Sequence, residues 1–255
     1  MRLVLTALPG IPVIRTGDNL VEVIWNGLLD ADIILQEGDI LVLAQKIVSK
    51  AEGRWENLAL IRPSMQAIEL AGKTEKDPRI IELILRESNQ VIRYRLGTII
   101  VEHRLGFICA NAGIDHSNAA GNGDKTEEWV LLLPENPDLS ATVICQQLEA
   151  RSGHDLGVMI IDSHGRAWRE GVVGVAIGLS GIPGVVDMRG KSDIFGYTLK
   201  YTTIGAADEL AAAASLIMGQ ANEATPIVHV RGFPYPLRNG SLQELLRPKV
   251  QDLFR

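Results

Sequence analysis

Cysteine is scarce in this chain: only Cys109 and Cys145 are present, and no CxxC pair occurs. A disulfide scaffold or a cysteine zinc site is therefore excluded, and a reducing cytosol is the simplest setting. Basic excess is also missing. The net charge is -6 and no Lys/Arg cluster is interleaved with aromatics, so nothing favours a nucleic acid partner. An anionic small molecule stays open, because local placement of charge matters more than its sum. There is no long apolar run. Residues 172–183 and 205–218 are too short, or too glycine-rich and acidic, to span a bilayer. Residues 1–8 carry one Arg and a short apolar run broken by Pro9-Gly10, which fits a first strand better than a signal peptide. A soluble cytoplasmic protein with no membrane partner is the expectation. The standard fingerprints are lacking too: no GxxxxGK[ST], no GxSxG, no HExxH, and no GxGxxG among Gly171, Gly174, Gly178, Gly181 and Gly184. Those glycines read instead as close backbone packing or bulges. Any nucleotide site must then be built without a standard motif.

What is present is apolar content of 46% over 255 residues, enough for a substantial core in one large domain or two tightly joined ones. The polar stretch 119–128 reads as a mobile loop and a possible seam. Strands are expected at 3–7, 40–44, 107–110, 130–134 and 227–230, with a strand pair across 91–101. Helices are expected at 19–28, capped by Asp18 or Asn19, at 64–71, 78–87, 139–152 (capped by Asp138 or Ser140) and 206–218, with a short one at 242–246.

The chain is organised around residues 156–184. An apolar run through Val158 to Ile161 meets Asp162-Ser163-His164-Gly165-Arg166, and Arg169 and a glycine-rich apolar tract follow. The strand is expected to end at Asp162 and Ser163, where the backbone opens. Oxygen ligands beside guanidinium groups suit a metal–phosphate site; an Asp-initiated turn with solvated arginines gives the same pattern. Asp115 repeats it, after the apolar run 107–110 and the loop Asn111-Ala112-Gly113-Ile114. Two such aspartates brought together would hold one or two divalent ions against a nucleotide, although Asp also simply caps turns. Lys46 and Lys50 stand four apart after the strand 40–44 and share a face if the segment is helical, as phosphate ligands or as a solvated basic face. His116 and His164 each lie near a candidate aspartate and could assist it, but turn or surface roles are the expectation for both.

Several strings together resemble one family, the coenzyme F-420 γ-glutamyl ligases. They are Pro9-Gly10-Ile11-Pro12, Gly17-Asp18, Ser49-Lys50-Ala51-Glu52-Gly53-Arg54, Asn111-Ala112-Gly113-Ile114-Asp115 with Ser117-Asn118, Asp162-Ser163-His164-Gly165-Arg166, Gly171-Val172-Val173-Gly174, and Met218-Gly219-Gln220 before Val230-Arg231-Gly232. No single string is specific; the ordered set is, and it covers nearly the whole chain.

The resemblance implies an α+β, mixed-sheet fold, an intertwined homodimer, and a GTP-dependent ligase. It would add L-glutamate, and then further γ-linked glutamates, to the phospholactyl carboxylate of coenzyme F-420-0, releasing GDP and phosphate. Two Mn²⁺ or Mg²⁺ ions and a K⁺ are implied. So are roles for single residues. Pro9, Gly10, Ile11 and Pro12 would cradle the nucleotide, which Gln45, Lys46, Lys50 and Asn118 would contact. Met218, Gly219, Gln220, Ala221, Asn222, Glu223, Ala224 and Thr225 would close over it. Asp115, Asp162, Ser163 and Gln220 would hold metal. Gln220 stands where some members have Glu, and Ser163 where Thr is expected. Arg166 or Arg169 would neutralise an acyl phosphate. Some relatives carry a nitroreductase-like C-terminal domain; the chain ends at Arg255 without one, so no redox step is expected. Two rivals remain: a non-catalytic nucleotide-binding regulator, and a related ligase acting on another carboxylate.

Overall fold

The computed structural model describes residues 2–115 and 128–253. In chain order the elements are β1 (Val4–Ala7), α1 (Leu20–Asp30), β2 (Ile40–Ala44), α2 (Gln45–Ala51), β3 (Trp55–Asn57), α3 (Met65–Thr74), α4 (Pro78–Arg86), β4 (Ser88–Arg95), β5 (Thr98–His103) and β6 (Ile108–Ala110). They continue with β7 (Trp129–Leu131), α5 (Pro137–Ser152), β8 (Gly157–Arg166), β9 (Arg169–Ser180), β10 (Val186–Asp187), β11 (Thr203–Ile204), α6 (Ala206–Met218) and β12 (Ile227–Arg231). The class is α+β with a mixed sheet, as the resemblance implies.

The principal sheet has five strands in the order β1-β12-β2-β8-β9. Its β2–β8 pair is parallel, and every other neighbouring pair is antiparallel. The apolar run of β2 is unbroken because both faces are covered. Leu41 and Leu43 join one core cluster, while Ile40 and Val42 join another. Strand β8 alternates likewise: Val158 and Ile160 face the first cluster, Met159 and Ile161 the second. Helices α1 and α5 pack on the first face, and α6 on the second. Each of these fully buried aliphatic side chains stabilises the fold by about 1.5–3 kcal/mol relative to exposure. The first cluster continues into α4 and the three-stranded sheet β4-β5-β6 through Ile81, Ile84, Ile99, Val101 and Cys109.

The glycines of β9 explain why this strand is hidden in the sequence. A Cβ on Gly174 would stand 2.6 Å from the Ala211 carbonyl oxygen of α6, and one on Gly178 would stand 2.5 Å from Pro137 of α5. Residues with low strand propensity are present because two helices press against bare backbone. The caps also differ from expectation at one helix. Asn136, not Asp138 or Ser140, caps α5, its Oδ1 accepting from the Leu139 N–H at 3.1 Å. Asp138 instead accepts from the backbone of Leu179 and Leu242, tying α5 to β9 and to the C-terminal turn. That turn, expected as a helix at 242–246, is a 3-10 turn over Leu242–Glu244. Of the two caps expected for α1, Asn19 is the one observed, and Ser64, expected as the first residue of its helix, caps α3 instead.

At one end of the sheet, where β2 begins, Asp39 is buried at 1% exposure. Arg231 grips both its oxygens at 2.8 and 2.6 Å, and His229 Nε2 stands 2.9 Å from Oδ2. This is a structural clamp between β2 and β12. The cleft lies at the other end.

Candidate functional site

Strand β2 stops at Ala44, where the chain turns directly into α2, and the last rung of the parallel pair joins Ala44 to Ile161. Strand β8 does not stop there. It runs on to Arg166, paired only with β9. The expectation that the strand ends at Asp162 is therefore corrected: the neighbouring strand ends, and Asp162 is the first residue past it. The opening at the carboxyl ends of two parallel strands is a cleft of about 440 Å³, within the range of small-molecule sites.

Helix α2 places Gln45, Lys46 and Lys50 on the cleft. Lys46 and Lys50 are one turn apart, which settles their shared face. Burial and then the neighbouring charge of Lys46 hold the Lys50 ammonium below the usual lysine range. Two partly desolvated cations side by side are relieved by an anion.

Asp115 is delivered by an unusual turn. Asn111, Ala112 and Gly113 have φ of 52°, 53° and 65°, three successive left-handed residues. Non-glycine residues resist that conformation, so strain is concentrated next to the aspartate. Asp115 then bridges to Leu131 through both backbone groups, and its Oδ2 accepts from Gln45 Nε2 at 3.0 Å and lies 3.3 Å from Lys46 Nζ. Gln45 is itself oriented by Ser49, whose hydroxyl donates to Oε1 at 2.9 Å. Asp115 does not itself line the cleft; it contacts Gln45 and Lys46, which do.

Asp162 and Ser163 are adjacent on β8 and so point to opposite faces of the sheet. Asp162 faces β6: its charge, after burial, helps push the Cys109 thiol up to about 12. Cys109 is thus a buried core thiol. Ser163 faces α6, its hydroxyl donating to Gln220 Oε1 at 2.8 Å, while Gln220 Nε2 donates to Ser215 Oγ at 2.9 Å. The cleft wraps around the strand edge and reaches both residues.

The loop after α6 forms the facing wall, and all of Met218, Gly219, Gln220, Ala221, Asn222, Glu223, Ala224 and Thr225 line it. The Thr225 hydroxyl donates to the Met218 carbonyl at 3.1 Å, the Ala221 N–H donates to Glu223 Oε2 at 2.8 Å, and the Ala44 N–H donates to the Pro226 carbonyl at 2.9 Å.

Other expected residues sit elsewhere. Ile11 and Pro12 line the cleft, but Pro9 and Gly10 do not; Val13 and Ile14 take their place. Gly10 has φ of 67° and forms the turn that brings the segment in. Arg166 and Arg169 pair with each other at the tip of the β8–β9 hairpin, and Arg166 donates to the Glu170 carbonyl at 3.0 Å. Neither lines the cleft. Asn118, His116 and nearly all of the loop expected at 119–128 lie outside the described residues.

Sequence reasoning passed over Ser215 and set His164 aside for a turn or surface role. Ser215 sits one helical turn before Gly219. His164, two residues from Asp162 and hence on the same face of β8, places Nε2 3.0 Å from Asp162 Oδ2. The i, i+2 spacing on an apolar strand was the available signal for the second.

The side chains expected to hold metal are of the type a hard cation takes. Asp115, Asp162, Ser163 and Gln220 supply oxygen only, and Mg²⁺ or Mn²⁺ completes such sets with substrate oxygens. Among the described residues no group of three or more His, Cys, Asp or Glu side chains comes together as a metal cage. No helix among the described residues is long and apolar enough to cross a membrane.

The sequence profile of a family described as F420-0:Gamma-glutamyl ligase matches residues 10–232. A coenzyme F420:L-glutamate ligase from Methanothermobacter thermautotrophicus is 44% identical over 100% of both chains. The protein of that name from Methanocaldococcus jannaschii is 42% identical over 96% of this chain and 94% of its own. That from Archaeoglobus fulgidus is 37% identical over 100% of this chain and 97% of its own.

Proposed function

The chain belongs to the F420-0:gamma-glutamyl ligase family, and on that footing we propose that it is a GTP-dependent ligase adding L-glutamate to the phospholactyl carboxylate of coenzyme F-420-0. The observation that carries the reading is the convergence on one cleft of two lysines, an aspartate and hydroxyl on β8, and a closing loop, in a chain of this family.

The chemistry proposed is phosphoryl transfer followed by amide formation. A carboxylate oxygen attacks the γ-phosphorus and GDP leaves. The glutamate amine then attacks the acyl carbon of the resulting acyl phosphate, and phosphate leaves with the C–O bond broken as the C–N bond forms. Such transfers ask a protein mainly for positioning and charge neutralisation, in keeping with a sequence that has no GxSxG or comparable nucleophile motif. Lys46 and Lys50 hold the polyphosphate and offset its charge. The loop from Met218 to Thr225 covers the nucleotide and keeps water from the acyl phosphate, and Ile11 and Pro12 form the opposite wall. Asp115, Asp162, Ser163 and Gln220 would hold divalent ions, which when bound neutralise developing phosphate charge. Arg166 and Arg169 have no part in this cleft within one chain. A K⁺ ion, homodimeric assembly and a cytoplasmic setting belong to the same proposal and rest on likeness to the family alone.

The test is mass spectrometry of coenzyme F-420-0 after incubation with the protein, GTP, Mn²⁺ and L-glutamate. A mass gain of one or more glutamyl units, with matching GDP, is the expected result. Nucleotide binding with no glutamylated product and no phosphate would overturn it and leave a nucleotide-binding regulator.

A further inference from the structure

Asp162 has a partner that the proposed chemistry does not use. His164 Nε2 stands 3.0 Å from Asp162 Oδ2, with both side chains about one-tenth exposed. An ionised carboxylate only accepts, so the imidazole is the donor. His164 does not line the cleft, whereas Asp162 does, so the imidazole reaches the carboxylate from behind. The ring is itself held in place. Phe107 packs against it at 5.2 Å between centroids, tilted by 50°, and Phe107 stacks on His103 at 5.0 Å with the rings 4° from parallel. His103 is fully buried, and its Nδ1 accepts the Leu105 N–H at 3.1 Å, which fixes its ring. A file of three packed rings thus runs from the core of the β4-β5-β6 sheet to the rear of Asp162.

We propose that His164 is a positioning residue that holds the Asp162 carboxylate in one rotamer, with one oxygen engaged by the imidazole, so that a divalent ion meets a preset ligand. The proposal rests on the reading of Asp162 as a metal-holding residue. Even a carboxylate that is about one-tenth exposed has alternative rotamers, and fixing it before the ion arrives tightens binding. Hydrogen-bond partners behind metal ligands carry roughly 10–100-fold in metal affinity.

The experiment separates the hydrogen bond from the ring packing. Mn²⁺ binding is measured by electron paramagnetic resonance of the free ion, with a non-hydrolysable GTP analogue and no acceptor, on the full chain and three variants. His164→Phe keeps a ring against Phe107 but removes the donor; His164→Gln keeps a donor of similar reach but removes the ring. Expected is a loss of roughly 10–100-fold in Mn²⁺ affinity for His164→Phe and near-parental affinity for His164→Gln. The reverse order, or unchanged affinity in His164→Phe, overturns the proposal. Asp162→Asn is the control on its premise. If that variant loses Mn²⁺ while His164→Phe does not, only the positioning role falls. If Asp162→Asn binds Mn²⁺ as the parent does, the metal reading of Asp162 falls, and the positioning role with it.

Discussion

Ser163 Oγ and Gln220 Oε1 lie 2.8 Å apart although 57 residues separate them in the chain. The contact joins the open edge of β8 to the loop after α6, and it brings together two neutral oxygens that the proposed function assigns to a divalent ion. Replacing the amide by a carboxylate adds charge at the same reach, and charge count tunes affinity for hard cations. Gln220→Glu is expected to tighten Mn²⁺ binding by about tenfold and Gln220→Ala to weaken it. Titration of the free ion in the presence of nucleotide reads both; equal affinities in all three proteins would remove Gln220 from the ion.

Asp115→Asn and Asp162→Asn should each lower glutamate-dependent GDP release by about 10²–10³-fold, the scale of a lost electrostatic group in a transition state. Both side chains are partly exposed, with Asp115 at 27% and Asp162 at 12%. The variants are therefore expected to melt close to the parent, which a thermal scan verifies. Parental turnover in both would reject their assignment.

Gly174→Ala tests how packing reaches the cleft. The new methyl would meet the Ala211 carbonyl oxygen at 2.6 Å and the Ser215 side chain at 2.6 Å, so α6 must shift. Overpacking of this kind costs about 1–3 kcal/mol. Because α6 carries Ser215 and leads into the closing loop, nucleotide affinity should fall along with stability. Equilibrium denaturation and a fluorescent-nucleotide titration on the same protein would show whether the two move together.

The Asp39 clamp gives a pH dependence. Burial alone would push its carboxyl up, but Arg231 and His229, with the Gln36 N–H, pull harder and hold it at about 2, against 3.8 when unperturbed. The folded state therefore favours the ionised form. This stabilisation is complete above the unfolded value, near pH 4, and is lost as pH falls toward about 2; it amounts to about 2 kcal/mol. Asp39→Asn should cost about 3 kcal/mol at neutral pH by leaving Arg231 without its partner, and should flatten the acid limb of a stability–pH curve measured by urea unfolding.

Where an apolar or alanine-rich run is bounded by turn residues or glycine, the sequence foretells the element, as at Ile40–Ala44 and Ala206–Met218, whose bounds match expectation. It fails where tertiary contact overrides local preference. Strand β9 is built on glycines that make room for α5 and α6, and no periodicity reveals a requirement set by distant helices. Asp162 was legible as special but not its situation, because the end of its neighbour, not its own strand, makes the opening. Lys46 and Lys50 needed only the helix of α2 to share a face. The left-handed turn at Asn111 and Ala112 was opaque: nothing in a short polar string announces three positive φ values. His164 could have been paired with Asp162 by counting two along a strand, had that strand been followed past the aspartate.

The closing loop is pinched at its base. Thr225 and Met218 are joined across it, and Pro226 is fastened to Ala44 at the rim of the sheet. Between these posts the chain is a flap on a fixed frame. Residues added to or removed from its crest change what the flap reaches and leave every strand where it is, because lengthening a loop whose ends are already joined costs little. The grip on a ligand can then be altered over evolutionary time independently of the scaffold that supports it.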